Sequence, residues 1–191
     1  MIGIWIKQVL WDKIEELKEE VAIVVPYATF GSWMNLEEYE ELEKKGVPVV
    51  VDAAPGFGLM NGGMHYGQDF SGMIIYSFHA TKPFGIGEGG LIYSKNEEDI
   101  TNVLKEWGIS DLIQIVKCTM MGFNCKKCLK YAAAIGIATM KKWDDKLKER
   151  TRISEWYKQL LQSNGLMKKG WQLQKTEAVI QQFMPILCPE E

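Results

Sequence analysis

Residues 77–90 read Ser-Phe-His-Ala-Thr-Lys-Pro-Phe-Gly-Ile-Gly-Glu-Gly-Gly, and they directly follow the apolar run 72–76. A second apolar run, 47–51, ends in Asp52. Short apolar runs bounded by turn residues predict buried strands. Lys82 and Asp52 would then each lie just beyond the carboxyl end of a strand, where open α/β sheets bind their ligands. An amine and an acid could therefore reach the same small molecule.

The segment before Asp52 predicts a strand–helix–strand unit. The run 21–25 is a strand pattern stopped by Pro26, and a helix pattern runs from Asn35 to about Lys45. Asn35 would cap this helix, with Glu38 as the partner in a capping box. Two strands joined by a single helix favour parallel pairing with a right-handed crossover.

The rest of the chain continues this alternation and predicts an α/β fold. It is expected to be a three-layer α/β/α arrangement with a mostly parallel sheet. The further elements are a helix at 7–20, a Gly-rich loop at 56–67, strands at 72–77 and 91–94, a helix at 97–107, and one long helix from Cys128 to about Gln162. The domain prediction is a large domain over 1–127, a linking long helix over 128–163, and the start of a small domain over 164–191.

Composition narrows the possible partners and compartment. The 191 residues are 47% hydrophobic and 25% charged. The net charge of −3 does not indicate binding to nucleic acid or to an anionic membrane, since both attract basic proteins. No apolar run reaches the length of a membrane span, and the amino terminus lacks a signal-peptide cleavage site. Four cysteines without a secretory signal indicate reduced thiols, so a cytoplasmic location is expected.

Several motifs in register resemble one known family. They are Val51-Asp52-Ala53-Ala54, the block 77–82, Gly87–Gly90, Gly122-Phe123-Asn124 and Ala132–Gly136. Together they resemble the DegT/StrS-type nucleotide-sugar aminotransferases, which are pyridoxal phosphate (PLP) enzymes of fold type I. The resemblance runs from about Val21 to Leu161 and is most specific around Lys82. It implies an incomplete fold type I large domain.

The resemblance also implies roles for single residues. Lys82 matches the Schiff-base lysine, and Asp52 matches the acid that pairs with the pyridine nitrogen. Ser77 matches a hydroxyl on the cofactor phosphate. Asn124 matches an amide that reaches the phosphate of the neighbouring subunit's cofactor. Sugar-dehydratase relatives carry a histidine in place of Lys82, so the lysine indicates the aminotransferase branch.

The chemistry of PLP is consistent with these residue types. A carboxylate at the ring nitrogen keeps that nitrogen protonated, so the ring can accept electrons from a forming carbanion. A lysine can hold the cofactor, be displaced by an amino donor and then move a proton. The resemblance therefore predicts transamination of a nucleotide-linked keto-sugar, with glutamate as donor, in polysaccharide or antibiotic-sugar biosynthesis. The expected partner is a second copy in a homodimer, or a complementing amino-terminal half.

The sequence departs from the family at two places. Pro55 stands where the family usually has His or Gln, and proline has no side-chain hydrogen-bonding group. Family members are also much longer and carry an amino-terminal portion that helps to bind the cofactor. His79 is a weaker candidate for substrate contact, since a loop histidine is as often satisfied by backbone. Glu88 is interpreted as a residue that stabilises the loop.

Other functions stay open at this level. The chain could be a non-catalytic remnant or subunit that keeps the fold and dimer surface. A different fold type I enzyme, such as a decarboxylase or lyase, is a third possibility. The pair Cys125 and Cys128 has zinc-ligand spacing, but a structural zinc site needs two more ligands, so no metal site is predicted.

Overall fold

The computed structural model describes residues 7–17, 21–106, 120–122, 129–174, 180 and 182–189. Its helices are α1 (Lys7–Leu17), α2 (Glu37–Lys44), α3 (Glu97–Glu106), α4 (Leu129–Met140) and α5 (Trp143–Ser163). Its strands are β1 (Val50–Asp52), β2 (Met60–Asn61), β3 (Met64–His65), β4 (Met73–Ser77), β5 (Gly90–Tyr93), β6 (Met120–Gly122), β7 (Gln172–Leu173) and β8 (Ile186–Leu187). The α/β class predicted from the sequence is confirmed.

The main sheet has four strands in the order β1-β4-β5-β6. β1 and β4 are parallel, with Asp52 opposite Ile75. β4–β5 and β5–β6 are antiparallel. The segment 24–27 extends the sheet beyond β1 through two parallel bridges, Val24 to Val49 and Tyr27 to Asp52.

The sequence analysis predicted a mostly parallel sheet, but the observed sheet is mixed. The helix between segment 24–27 and β1 carries the chain back across the sheet, which gives parallel pairing. Between β4 and β5 there is only the loop 78–89, and it holds no helix. A loop of this kind returns the chain at the same end of the sheet, so β5 must run antiparallel to β4.

The buried face of the sheet carries the hydrophobic core. Val49, Val51 and Ile74 are at most 1% exposed, and successive side chains of a strand alternate between the two faces. These residues pack with Leu42 of α2, which is fully buried. Burial of such side chains supplies the main stabilising free energy of the fold.

The opposite face of the sheet is partly uncovered at its edge. Ile23, Val25, Tyr27 and Ile75 are exposed by 48%, 58%, 47% and 39% of their surface. The register places Tyr27, Asp52 and Ile75 in one row across three strands. We call the surface formed by Ile23, Val25, Tyr27 and Ile75 the open face. Asp52 lies on the same side of the sheet as this apolar surface.

The long helix expected from 128 to 162 is two helices separated by a turn at residues 141–142. Trp143 at the start of α5 is 7% exposed and contacts Phe84, with ring centroids 5.1 Å apart at 82°. It also lies against Gly58, where an added Cβ would be 2.7 Å from the indole nitrogen. The break allows this indole to enter the core, a long-range contact that a helical pattern does not contain.

Two local predictions are also corrected. The strand expected to stop at Pro26 consists of isolated bridges and continues past the proline to Tyr27. Pro26 has no N–H to donate to β1, so the ladder is interrupted there, although its carbonyl accepts the N–H of Asp52 at 2.8 Å. The Gly-rich loop contains a small hairpin, β2–β3, whose turn residues Gly62 and Gly63 both have positive φ.

The start of α2 differs in detail from the predicted capping box. Asn35 Oδ1 accepts the N–H of Glu37 at 3.0 Å, so the asparagine does bind the first turn. The helix begins at Glu37, and its N-cap residue Leu36 makes no side-chain capping bond. In the described part of the chain, no helix is both long enough and apolar enough to span a bilayer. The division into domains at 127 and 163 stays a prediction.

Candidate cofactor site at the carboxyl end of the sheet

The backbone of Asp52 is bonded to the segment 26–28 through both of its polar groups. Its N–H donates to the Pro26 carbonyl and its carbonyl accepts from Ala28 N–H, both at 2.8 Å. Its carboxylate Oδ1 accepts the N–H of Ala54 at 3.0 Å. One carboxylate oxygen is therefore fixed by the chain itself, and the half-buried side chain keeps acceptor capacity for a ligand.

Ser77 lies beside Asp52 on the next strand. It follows Ile75 by two residues, so its side chain is on the same side of the sheet as that of Asp52. The Ser77 N–H donates to the Ala54 carbonyl at 3.2 Å, which continues the pairing beyond β1. The Ser77 hydroxyl accepts the N–H of His79 at 3.3 Å. A hydroxyl and a carboxylate are thus adjacent at this end of the sheet.

The loop that carries Lys82 is anchored by its own backbone. Phe78 N–H donates to Gly89 O at 2.8 Å and Ala80 N–H donates to Gly87 O at 2.7 Å. The aromatic rings of Phe78 and Phe84 are almost fully buried and lie 5.2 Å apart. The backbone bonds to the glycines and the packing of the aromatic rings therefore hold this loop in one conformation.

Lys82 lies in this loop. Its backbone N–H donates to the His79 carbonyl at 2.8 Å, and its side chain is half-buried. Within the described residues its amine makes neither a hydrogen bond nor an ion pair, and so none with Asp52. The amine is available to an added group, which a lysine engaged in a structural ion pair would not be.

His79 organises the loop around Lys82. Its Nδ1 accepts the N–H of Thr81 at 3.3 Å and lies 2.9 Å from the Thr81 hydroxyl. The other ring nitrogen, Nε2, lies 3.6 Å from Glu88 Oε1, which is too long for a hydrogen bond. His79 therefore contacts Thr81 through Nδ1, and its contact with a substrate stays a prediction.

Tyr27 adds an electrostatic feature that the sequence analysis did not identify. Burial raises the pKa of the Tyr27 phenol, and the neighbouring Asp52 carboxylate raises it further. The second effect requires the two groups to be close, as their opposed positions in the sheet indicate. The signal that could have found Tyr27 is its position after the predicted strand 21–25.

Two clefts of the described chain lie away from these residues. One, of about 400 Å³, lies between segments 33–40 and 61–70. The other, of about 320 Å³, lies between α1 and segment 21–26. Neither is lined by Asp52 or Lys82, so the candidate site is an arrangement of groups at the sheet end rather than one of these two clefts.

The structure brings together four of the five residues that the sequence analysis singled out. Asp52, Ser77, His79 and Lys82 lie at one end of the sheet, on and after two adjacent parallel strands. Asn124 lies outside the described residues, as do Cys125 and Cys128.

Comparison with known proteins identifies the family. The model of the DegT/DnrJ/EryC1/StrS aminotransferase family matches residues 8–191. The chain belongs to this family. It is 30% identical over 151 residues to a UDP-4-amino-4,6-dideoxy-N-acetyl-beta-L-altrosamine transaminase of Campylobacter jejuni, covering 74% of this chain and 38% of the relative. It is 30% identical over 155 residues to a dTDP-4-amino-4,6-dideoxy-D-glucose transaminase of Shigella dysenteriae, covering 78% and 40%.

A solved structure supports the same assignment. A crystal structure from Bacillus cereus ATCC 10987, assigned to the PLP-dependent aminotransferases, is 82% identical and matches with a TM-score of 0.85. The match covers 97% of this chain and 50% of that one. The chain thus spans half or less of the length of these relatives. The described elements are part of the fold of PLP-dependent aminotransferases.

Family membership implies pyridoxal phosphate as the cofactor. The side chains present fit that group by their chemistry. Lys82 supplies an amine with no partner in the described part of the chain, Asp52 a carboxylate with one oxygen bound by Ala54, and Ser77 a hydroxyl on the same side of the sheet as Asp52. These are the groups that an aldehyde, a pyridine nitrogen and a phosphate require.

Proposed function

We propose that this chain carries the cofactor lysine and ring-nitrogen acid of an aminotransferase that acts on a nucleotide-linked keto-sugar. The supporting observation is the arrangement at the sheet end, where the Lys82 amine, unpaired among the described residues, stands on a loop fixed by its backbone bonds that follows the strand next to Asp52. The names of the Campylobacter and Shigella relatives support a nucleotide-sugar substrate. Because those two relatives act on different sugars, the sugar itself is not assigned.

Each residue has a proposed role. Bound PLP supplies an electron sink for the transfer of an amino group. Lys82 would hold the cofactor by its amine, and the same amine would hold and move the transferred proton. Asp52 would keep the ring nitrogen protonated, and Ser77 would donate to the phosphate. Glutamate is the proposed amino donor.

The partner of the site is also a proposal. The chain spans half or less of the length of these relatives, so it is not expected to carry every cofactor contact that they do. We propose a second copy of the chain in a homodimer, or a complementing amino-terminal half. Asn124 would reach the cofactor of the neighbouring subunit. A cytoplasmic location remains part of this proposal.

The test uses the chain with added PLP. We expect a visible absorbance band, and we expect borohydride reduction to fix the cofactor on Lys82, identified by peptide mass spectrometry. Lys82→Ala should lose both signals. Lys95→Ala is the matched control, because Lys95 contacts the Asp69 backbone and side chain instead.

The outcomes separate the proposal from its alternatives. Capture on Lys82, followed by amination of a nucleotide keto-sugar when glutamate is supplied, would establish the function. Capture without sugar amination would favour another fold type I reaction. No capture, or equal capture in the Lys82→Ala variant, would favour a non-catalytic remnant.

A further inference from the structure

We propose that Gln182 is a positioning residue for Lys82, acting through the carbonyl of Thr81. The inference rests on the proposed function, since that function gives Lys82 its role. Gln182 Nε2 donates to Thr81 O at 3.0 Å, across a separation of 101 residues in the chain. Thr81 immediately precedes Lys82.

The contact completes the fixation of one peptide unit. A peptide group is planar, so holding its C=O and its N–H together sets the orientation of the whole plane. In the Thr81–Lys82 peptide, Gln182 binds the C=O and the His79 carbonyl binds the N–H at 2.8 Å. The direction in which Lys82 leaves the backbone depends on this plane. Gln182 therefore limits where the amine can go.

Thr81 itself has its other polar groups engaged by His79. Its N–H donates to His79 Nδ1 at 3.3 Å, and its hydroxyl lies 2.9 Å from the same nitrogen. These contacts are local to the loop, whereas Gln182 comes from a distant part of the chain. Without Gln182 the loop would keep its internal bonds but lose its tie to the carboxyl-terminal segment.

The backbone of Gln182 is held near the segment that pairs with Asp52. Its N–H donates to Ile180 O at 2.9 Å, and Ile180 N–H donates to Gly31 O at 3.0 Å. Ile180 is 5% exposed. Gly31 belongs to the turn that follows Tyr27, so the anchor stands next to the strand that pairs with Asp52. Gln182 thus links the Asp52 side of the site to the Lys82 loop.

Phe183 and Phe30 strengthen this anchor. Their rings meet edge to face with centroids 6.2 Å apart. Phe30 has a φ of 57°, in the left-handed region that a non-glycine residue rarely adopts. Such a conformation persists when surrounding contacts hold it in place. The turn that carries Phe30 is therefore held both by this ring contact and by the bond from Ile180.

Two variants test the proposal by amide hydrogen exchange in the chain without cofactor. Gln182→Met keeps the length of the side chain but removes the donor without adding charge, so exchange in the peptide covering 79–84 should become about 2- to 10-fold faster, as expected for the loss of one hydrogen bond. Asn164→Leu is the matched control, because Asn164 Nδ2 donates to Leu160 O at the end of α5 rather than to the Lys82 loop or to the turn that anchors Gln182.

A second measurement reports on Lys82 itself. The pH profile for capture of PLP by Lys82, trapped with borohydride, should shift in Gln182→Met and stay unchanged in Asn164→Leu. Unchanged exchange in Gln182→Met, or an equal effect in Asn164→Leu, would overturn the proposal. Changed exchange with an unchanged capture profile would overturn the role toward Lys82. If the wild-type chain captures no PLP while exchange responds as expected, the proposed function fails instead.

Discussion

Tyr27 and Asp52 lie opposite each other on neighbouring segments of the sheet, and the pKa of the Tyr27 phenol depends on the Asp52 carboxylate. Burial and then the Asp52 charge raise the pKa of Tyr27. The folded chain therefore keeps the phenol proton at a pH where the unfolded chain has released it. The contribution of this group therefore lowers the free energy of unfolding as pH rises above the ordinary tyrosine pKa of about 10.

Asp52→Asn should lower the pKa of Tyr27, because the charge is removed while burial remains. An NMR titration with isotope-labelled tyrosine would follow that phenol directly. Glu155→Gln is the control, since Glu155 has no effect on the Tyr27 pKa. An unchanged Tyr27 pKa in Asp52→Asn would mean that the carboxylate does not lie where the structure places it.

At the scale of elements, the sequence predicted best where a local pattern decides the outcome. α3 and β4 have nearly their predicted bounds because charged first turns and apolar runs are local signals. The mixed sheet and the break before Trp143 depend on contacts between distant residues, and no periodicity encodes them. Likewise, the strand ends and the family motifs predicted Lys82 and Asp52 as site residues, whereas Gln182 is proposed from a contact that has no sequence signal.

Trp143 tests the account of the break between α4 and α5. Trp143→Ala should lower the free energy of unfolding by about 3–5 kcal/mol, because it removes a large buried ring and leaves a cavity beside Phe57 and Phe84. Trp156→Ala is the matched control on the same helix. Trp156 is 54% exposed, so we expect a change within about 0.5 kcal/mol. Denaturant unfolding would measure both, and equal losses would contradict the account.

For the whole molecule, the open face is the feature that bears on assembly. Ile23, Val25, Tyr27 and Ile75 form an exposed apolar surface on the side of the sheet that carries Asp52. A contiguous exposed apolar surface commonly marks an interaction site. This agrees with the proposal that a second copy of the chain, or a complementing amino-terminal half, is its partner.

Self-association at the open face can be measured by sedimentation. We expect the wild-type chain to associate as its concentration rises, because association removes apolar surface from water. Val25→Lys should shift the equilibrium toward the monomer by adding charge to that surface. Ile137→Lys, on the exposed side of α4, is the comparison. If only Ile137→Lys reduces association, the interface lies on α4 instead.

The open face also has a practical consequence in the laboratory. A reporter dye that fluoresces in apolar surroundings would bind the native chain at Ile23 and Val25, and its emission would already be high before any heating. The melting curve obtained with such a dye would be poor because the signal before unfolding is already high. A partner bound at the open face would displace the dye and lower this initial signal. The fall in that starting fluorescence could then serve as a screen for a polypeptide that binds the open face.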